Sequence, residues 1–254
     1  SIMSLPDLRK KIIFTLIMCL VARVGTHIPA PGVNIEALQS QVAGNDILGF
    51  MNMFSGGAFS RISIFALGVM PYINASIVMQ LLTVIVPQIE EIQKEGDAGR
   101  QKIVQWTRYL TIGVAIIQAI GVSMWLKQSG LIMMENYFVF LITLISILTA
   151  GTVFLMWLGE QITVNGIGNG ISLIIFINIV ARFPIAAMQS IETMKGTKFF
   201  LVEAAFIAVV AVLVIGFVVL FSLGKRRIPI IYVGKGFGGK GAVGAQQYIP
   251  LKVN

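Results

Sequence analysis

The sequence predicts an all-α integral membrane protein, a polytopic helix bundle, and three observations carry that prediction. Hydrophobic residues make up 56% of the 254-residue chain and charged residues only 12%, about half the charge of an ordinary soluble domain. Mean hydropathy is +0.87. The apolar residues fall in repeated long runs, not in segments of about ten residues with alternating polarity, so a transmembrane β-barrel is excluded. One run, Asn52 to Pro87, is 36 residues long, more than the ~20 that one spanning helix needs and less than the ~40 for two.

Apolar windows place six spans at about residues 11–29, 65–86, 104–126, 137–158, 167–190 and 201–223. The first follows Arg9, Lys10 and Lys11 and runs on into Arg23 and His27 without a small-residue cleavage site, so it reads as a span and not a removable signal peptide. The next connection, through Pro29, Pro31, Gly32 and Asn34, reads as an irregular external segment.

In the 36-residue run, Gly56-Gly57 breaks a continuous helix, and Arg61 is expensive at the bilayer centre. A short amphipathic piece at about Met53–Ile64, followed by a full span from Phe65 to Val86, resolves both conflicts. Non-helical backbone at membrane depth is tolerated only when buried in protein or lining a cavity. A re-entrant piece therefore points to a channel or a transporter.

Residues 87–103 read as a short charged turn. Gly166–Gly170, "GIGNG", lacks the third glycine of a dinucleotide fingerprint and reads as a tight turn into the fifth span. After the sixth span, Gly224–Tyr248 reads as a protruding basic loop, with a short strand at Ile228–Val233 and a Gly-rich return. Its Gly234–Lys240, "GKGFGGK", imitates a phosphate-binding loop, but Gly241 stands where the magnesium-binding hydroxyl belongs and no good helix follows. Tyr248–Asn254 reads as the start of a seventh span, so the expectation is a piece of a longer protein. The domain reading is thus 1–223 for the spans, 224–247 for the loop and 248–254 for the start of a seventh span.

Lysine and arginine set the topology. With the N-terminus inside, the internal segments hold Arg9, Lys10, Lys11, Lys94, Arg100, Lys102, Arg108, Lys225, Arg226, Arg227, Lys235 and Lys240. The external ones hold Arg23, Arg61, Lys127, Arg182, Lys195 and Lys198. This two-to-one bias is the positive-inside pattern.

Little in the chain points to catalysis. The single Cys19 and single His27 build no disulfide framework or Cys/His metal centre, and no cofactor is expected. The spans carry neutral polar residues such as Asn74, Gln80, Gln118 and Asn178, whereas proton-coupled transport needs an ionisable group near the midplane. Glu160 and Glu203 sit at span ends and read as interfacial. The pairs Val69/Ile73 and Ile171/Ile175 each share a helix face by their i,i+4 spacing. By spacing alone they fit lipid or helix contact as well as a pore.

Five stretches carry a resemblance: "NMFSGGAFSRISIFALGVMPYINASIVMQLLT", "EGDAGRQKI", "FLMWLGEQITVNGIGNGIS", "KRRIPIIY" and "YIPLKVN". They resemble the SecY family, the central subunits of the bacterial protein-translocation channel, over the family's first six spans and the start of its seventh. The resemblance implies a SecY-like bundle with a re-entrant plug helix, and a subunit without enzymatic activity. It implies a plug at Phe54, Ser55, Gly56, Gly57, Ala58, Phe59, Ser60, Arg61, Ile62, Ser63 and Ile64, and a hydrophobic constriction ring at Val69, Ile73, Ile171 and Ile175. Asn74, Gln80, Gln118 and Asn254 match lateral-gate positions. Lys225, Arg226, Arg227, Lys235 and Lys240 match a cytosolic loop that engages partners, although "VGKGFGGKGAVGAQQ" departs from the more basic family pattern. The partners implied are small SecE- and SecG-like membrane subunits, a SecA motor ATPase or the ribosome, signal sequences and unfolded polypeptides. They also include the surrounding lipid bilayer and the C-terminal half of the same channel. The implied location is the bacterial cytoplasmic membrane, N-terminus inside. Rival classes are a small-solute transporter with broken helices and, more remotely, an intramembrane enzyme.

Overall fold

A computed structural model of the chain describes residues 6–194, 200–229 and 248–252. The chain divides into two compact units, Ser1–Ala186 and Ala187–Asn254.

The first unit begins with α1, Pro6–Gly25, whose proline occupies the first helical position and whose last turn carries Arg23. Two short helices follow, α2 (Ile35–Ala43) and α3 (Asp46–Phe54). Asn34 caps α2 by accepting a hydrogen bond from the Ala37 amide. A single 3-10 turn at Phe59–Arg61 and an irregular stretch lead to α4, Met70–Ile85. Then come α5 (Pro87–Lys94), α6 (Asp97–Gln128), α7 (Tyr137–Asn165) and α8 (Gly170–Met194), the last crossing into the second unit. Side-chain caps start two of them. Asn136 accepts from the Phe138 and Val139 amides, and Asn169 from those of Ile171 and Ser172.

Within this unit α4 packs on α6, α6 on α7, and α1 on α7. One buried core joins α2, the 3-10 turn, α6 and α7 around Leu38, Phe59, Ile62, Leu126, Phe140 and Leu144. A second joins α1, α4, α7 and α8 around Cys19, Val69, Leu155, Leu158, Ile162 and Ile174. The second unit contains α9, Phe200–Leu223, and a two-stranded antiparallel ribbon. In that ribbon β1 (Lys225–Pro229) pairs with β2 (Tyr248–Lys252), Lys225 opposite Lys252.

Several expectations need correction. Four described helices, α6 to α9, are long and apolar enough to cross a membrane, or five if α4 and α5 count as one bent span. The helix of the second span starts at Met70 and not at Phe65. Pro71 explains this. It lacks an amide hydrogen, and its ring clashes with the carbonyl four residues back, so it fits only the first helical turn. At 16 residues and 1.5 Å per residue, α4 falls short of the ~30 Å apolar core of a bilayer.

The opposite end of α4 breaks at Pro87, with a 99° bend into α5. Val86, just before the proline, is extended, as steric conflict with the proline ring requires. Helix α1 is 20 residues long, about 30 Å at 1.5 Å per residue, but Lys10, Lys11 and Arg23 near its ends leave only Ile12–Ala22 uncharged. The seventh span expected to open at Tyr248 is instead strand β2 over residues 248–252. The strand expected at Ile228–Val233 begins earlier, at Lys225, and residues 230–233 lie outside the described residues.

Candidate functional site

Val69, Ile73, Ile171 and Ile175, expected to form a constriction, all belong to the second core. Val69 is buried, and the three isoleucines pack partly buried against the cluster. They come from two elements. Val69 precedes α4 and Ile73 lies in its first turn, where the Ile73 amide donates to the Val69 carbonyl. Ile171 and Ile175 lie at the start of α8, held by the Asn169 cap. The i,i+4 spacing alone could not decide whether these pairs met. The fold brings them into one apolar cluster that also holds Phe65, Leu155, Leu158 and Ile162.

The segment expected to be the plug is folded differently from a single short amphipathic helix. Its helical part, α3, ends at Phe54, where the expected piece begins. Beyond it the chain makes a compact turn organised by Asn52, which is buried. The Asn52 carbonyl accepts from the Gly57 amide at 2.9 Å and the Ser55 hydroxyl at 3.1 Å. Its side-chain Oδ1 accepts from the Ser60 amide at 2.9 Å. Gly56 has φ +66, and a Cβ there would lie 2.7 Å from Arg23 Nη1 and 2.9 Å from Asn178 Oδ1. Only glycine suits both that backbone conformation and that space.

Ala58, Phe59, Ile62 and Ser63 are then fully or almost fully buried. Phe59 stacks on Trp125 at 6.0 Å. The Ile62 carbonyl accepts from the Ala30 amide at 2.8 Å, and the Ile64 amide donates to the Ile28 carbonyl at 3.0 Å. These bonds satisfy irregular backbone deep in the protein, as burial demands. Ile62 has φ 41, a left-handed conformation that a β-branched side chain rarely adopts. Such strain persists only where surrounding contacts impose it. On the far side, a Cβ at Gly151 of α7 would collide with the Ile64 carbonyl oxygen, so α7 closes directly over the end of this segment.

Three arginines surround the turn. Arg23 Nη1 donates to the Gly56 carbonyl at 2.7 Å, and Arg182 Nη1 to the Asn52 carbonyl at 3.3 Å. Arg61 is exposed. Sequence reasoning counted Arg23 and Arg182 only as external charges and placed Asn178 only as a neutral polar residue. The available signal was that both arginines sit within or beside apolar runs, where a charge needs a partner.

The expected gate residues are partly dispersed. Asn74 and Gln80 are exposed on α4 and Gln118 is half-buried on α6. No hydrogen bond joins Gln80 to Gln118 among the described residues, although their helices pack together. Asn254, Lys235, Lys240 and the "GKGFGGK" stretch lie outside the described residues. Lys225, Arg226 and Arg227 lie in β1. Glu160, expected to be a plain interfacial residue, accepts a two-point ion pair from Arg108: Nε to Oε1 at 2.8 Å and Nη2 to Oε2 at 2.7 Å.

A family model described as SecY matches residues 63–254. The protein translocase subunit SecY of Pseudomonas aeruginosa is 45% identical over 253 residues, covering 99% of this chain and 57% of that protein. That of Streptomyces galbus is 44% identical over 264 residues, covering 98% and 60%. That of Aquifex aeolicus is 43% identical over 262 residues, covering 100% and 61%. The chain thus spans about 60% of the length of the curated relatives it matches. Among solved structures, one described as "The structure of a protein conducting channel" aligns with TM-score 0.59 at 19% identity, over 96% of this chain and 53% of that one. Sec61 in the canine ribosome-channel complex aligns with TM-score 0.57 at 19% identity, over 88% and 50%. These likenesses show a shared fold.

Proposed function

The chain belongs to the SecY family, and on that premise we propose that it supplies the N-terminal half of a protein-conducting channel. Unfolded secretory chains cross the bacterial cytoplasmic membrane through this subunit, and membrane segments leave it sideways into lipid. The observation that carries the reading is that Val69, Ile73, Ile171 and Ile175, from the starts of α4 and α8, join one apolar cluster. A ring of such side chains dewets and blocks ions, yet yields to a passing chain without any covalent chemistry.

The rest follows from that arrangement. The turn at Phe54–Ile64, with α3 before it, is the plug on the external side of the ring. Asn74, Gln80, Gln118 and Asn254 belong to the lateral gate, whose other wall comes from the C-terminal half. The N-terminus lies in the cytoplasm, which places α5 with Glu90, Glu91 and Lys94, and the ribbon at Lys225–Lys252, on the cytosolic side. That ribbon, together with Lys235 and Lys240, engages a SecA motor or the ribosome, and small SecE- and SecG-like subunits complete the complex. What supports the translocase reading over a solute transporter is identity of 43–45% to translocase subunits over nearly the whole chain.

The test is the resting ion conductance of the complete channel in a planar bilayer. Replacing Val69, Ile73, Ile171 and Ile175 together with serine is expected to make the closed channel leak. Wild-type resting conductance in that variant would remove the ring assignment.

A further inference from the structure

We propose that Arg23 and Arg182 are positioning residues that latch the plug shut by gripping its main chain; this rests on reading residues 54–64 as a plug. The contacts of the segment divide it in two. From Ala58 to Ile64 it is anchored. Phe59 and Ile62 lie in the core, and the Ile28–Ala30 backbone, bridged antiparallel at Pro29–Ser63, holds the segment through the Ile62 and Ile64 bonds. Upstream the segment is lightly held. Helix α3 leaves Phe50 61%, Met51 44% and Met53 41% exposed, and the elements packed on it are α2 and the 3-10 turn.

Between these parts sits the turn from Asn52 to Gly57, closed by the Gly57 amide donating to the Asn52 carbonyl, and there the two guanidinium groups attach from different helices. Arg23 reaches Gly56 from α1, and Arg182 reaches Asn52 from α8. Both acceptors are carbonyl oxygens within a turn that closes on itself through Asn52. The turn can therefore release as a unit, with Phe59 and Ile62 as its fixed end.

The latch is balanced, not permanent. Neither arginine has a carboxylate partner among the described residues, where the ion pairs are Lys94–Glu90, Lys102–Glu95 and Arg108–Glu160. Arg182 and Arg61 instead act on Arg23 as like charges. Two charge-assisted hydrogen bonds to neutral carbonyls hold the turn against that repulsion. An advancing chain then has these two bonds to break, together with those from Phe59 and Ser60 that tie the turn to its fixed end, while the core around Phe59 and Ile62 stays packed.

The test uses the complete channel with its C-terminal half and partner subunits, in a Cys19→Ala background carrying Ser55→Cys, a buried position in the releasing part. Resting conductance and labelling of the new thiol by a membrane-impermeant maleimide are read together, per assembled channel. Arg23→Gln and Arg182→Gln are each expected to raise the open fraction about tenfold, the scale of losing one charge-assisted hydrogen bond. Labelling should quicken in step, and Arg23→Lys and Arg182→Lys should return much of the wild-type behaviour. Deletion of residues 54–64 is the control. If that deletion opens the channel while both glutamine variants stay at wild-type conductance and labelling, the latch is overturned and the plug stands. If the deletion also leaves conductance unchanged, the plug reading falls and the latch with it.

Discussion

Arg108 of α6 and Glu160 of α7 face each other in a two-point ion pair, with Nη2 to Oε2 at 2.7 Å. The planar guanidinium matches both carboxylate oxygens, so the pair fixes the register of the two helices as well as their separation. The side chains are 42% and 23% exposed. In a membrane-spanning bundle, removing one partner strands the other charge. Glu160→Gln is therefore expected to destabilise the channel by about 1–3 kcal/mol. The double variant Arg108→Gln/Glu160→Gln should recover part of that loss. A double-mutant cycle on the thermal unfolding of the purified complex checks this, and strictly additive losses would contradict the coupling.

Phe59 ties the proposed plug segment to the core by burial at 3% exposure and by its stack on Trp125. Phe59→Ala is expected to destabilise the protein by about 3–5 kcal/mol, the range for emptying a buried aromatic site. Phe59→Leu should lose far less. The melting temperatures of the two variants, compared with wild type, measure this directly.

Gly151 is the point at which α7 meets the Ile64 carbonyl, and any side chain there must displace one of them. Gly151→Val is expected to lower the yield of assembled channel and raise its resting conductance, because the end of the plug segment moves off α7. Gly113, whose added Cβ meets nothing within 4 Å, provides the control. Gly113→Ala should leave both readings unchanged, and a defect there equal to that of Gly151→Val would contradict the packing account.

Asn74, proposed as a lateral-gate residue, is exposed on α4. Cysteines at Asn74 and in the seventh span of the complete channel are expected to crosslink in the closed state and stop secretion. Crosslinked channels that translocate at full rate would remove the lateral-gate role.

Helices α6 to α9 were legible in the sequence because each contains a long, strongly apolar window with few charges. The first two spans were harder. In α1 the charges at both ends shorten the apolar run, and in α4 the meaning of Pro71 depends on whether it opens a helix or interrupts one. The ribbon misled for another reason. "YIPLK" is apolar enough to begin a span, and only its pairing with "KRRIP" shows it to be a strand.

The chemistry around the plug was the least legible. Arg182 and Asn52 are 130 residues apart in the chain, and Arg23 and Gly56 are 33 apart. Both contacts end on carbonyl oxygens, which no residue type advertises. The four positions expected in a ring were readable as helix-face pairs, but their joining one apolar cluster with Leu155, Leu158 and Ile162 of α7 is a property of the fold.

Site-specific photocrosslinking to a secretory chain stalled in the complete channel tests the central claim most directly. Photoreactive residues would replace Ile73 and Ile171 in the ring and Ile142, 51% exposed on the outer face of α7. If the chain passes between α4 and α8, Ile73 and Ile171 will crosslink to it and Ile142 will not. Crosslinks at Ile142 with none at Ile73 or Ile171 would contradict the channel reading.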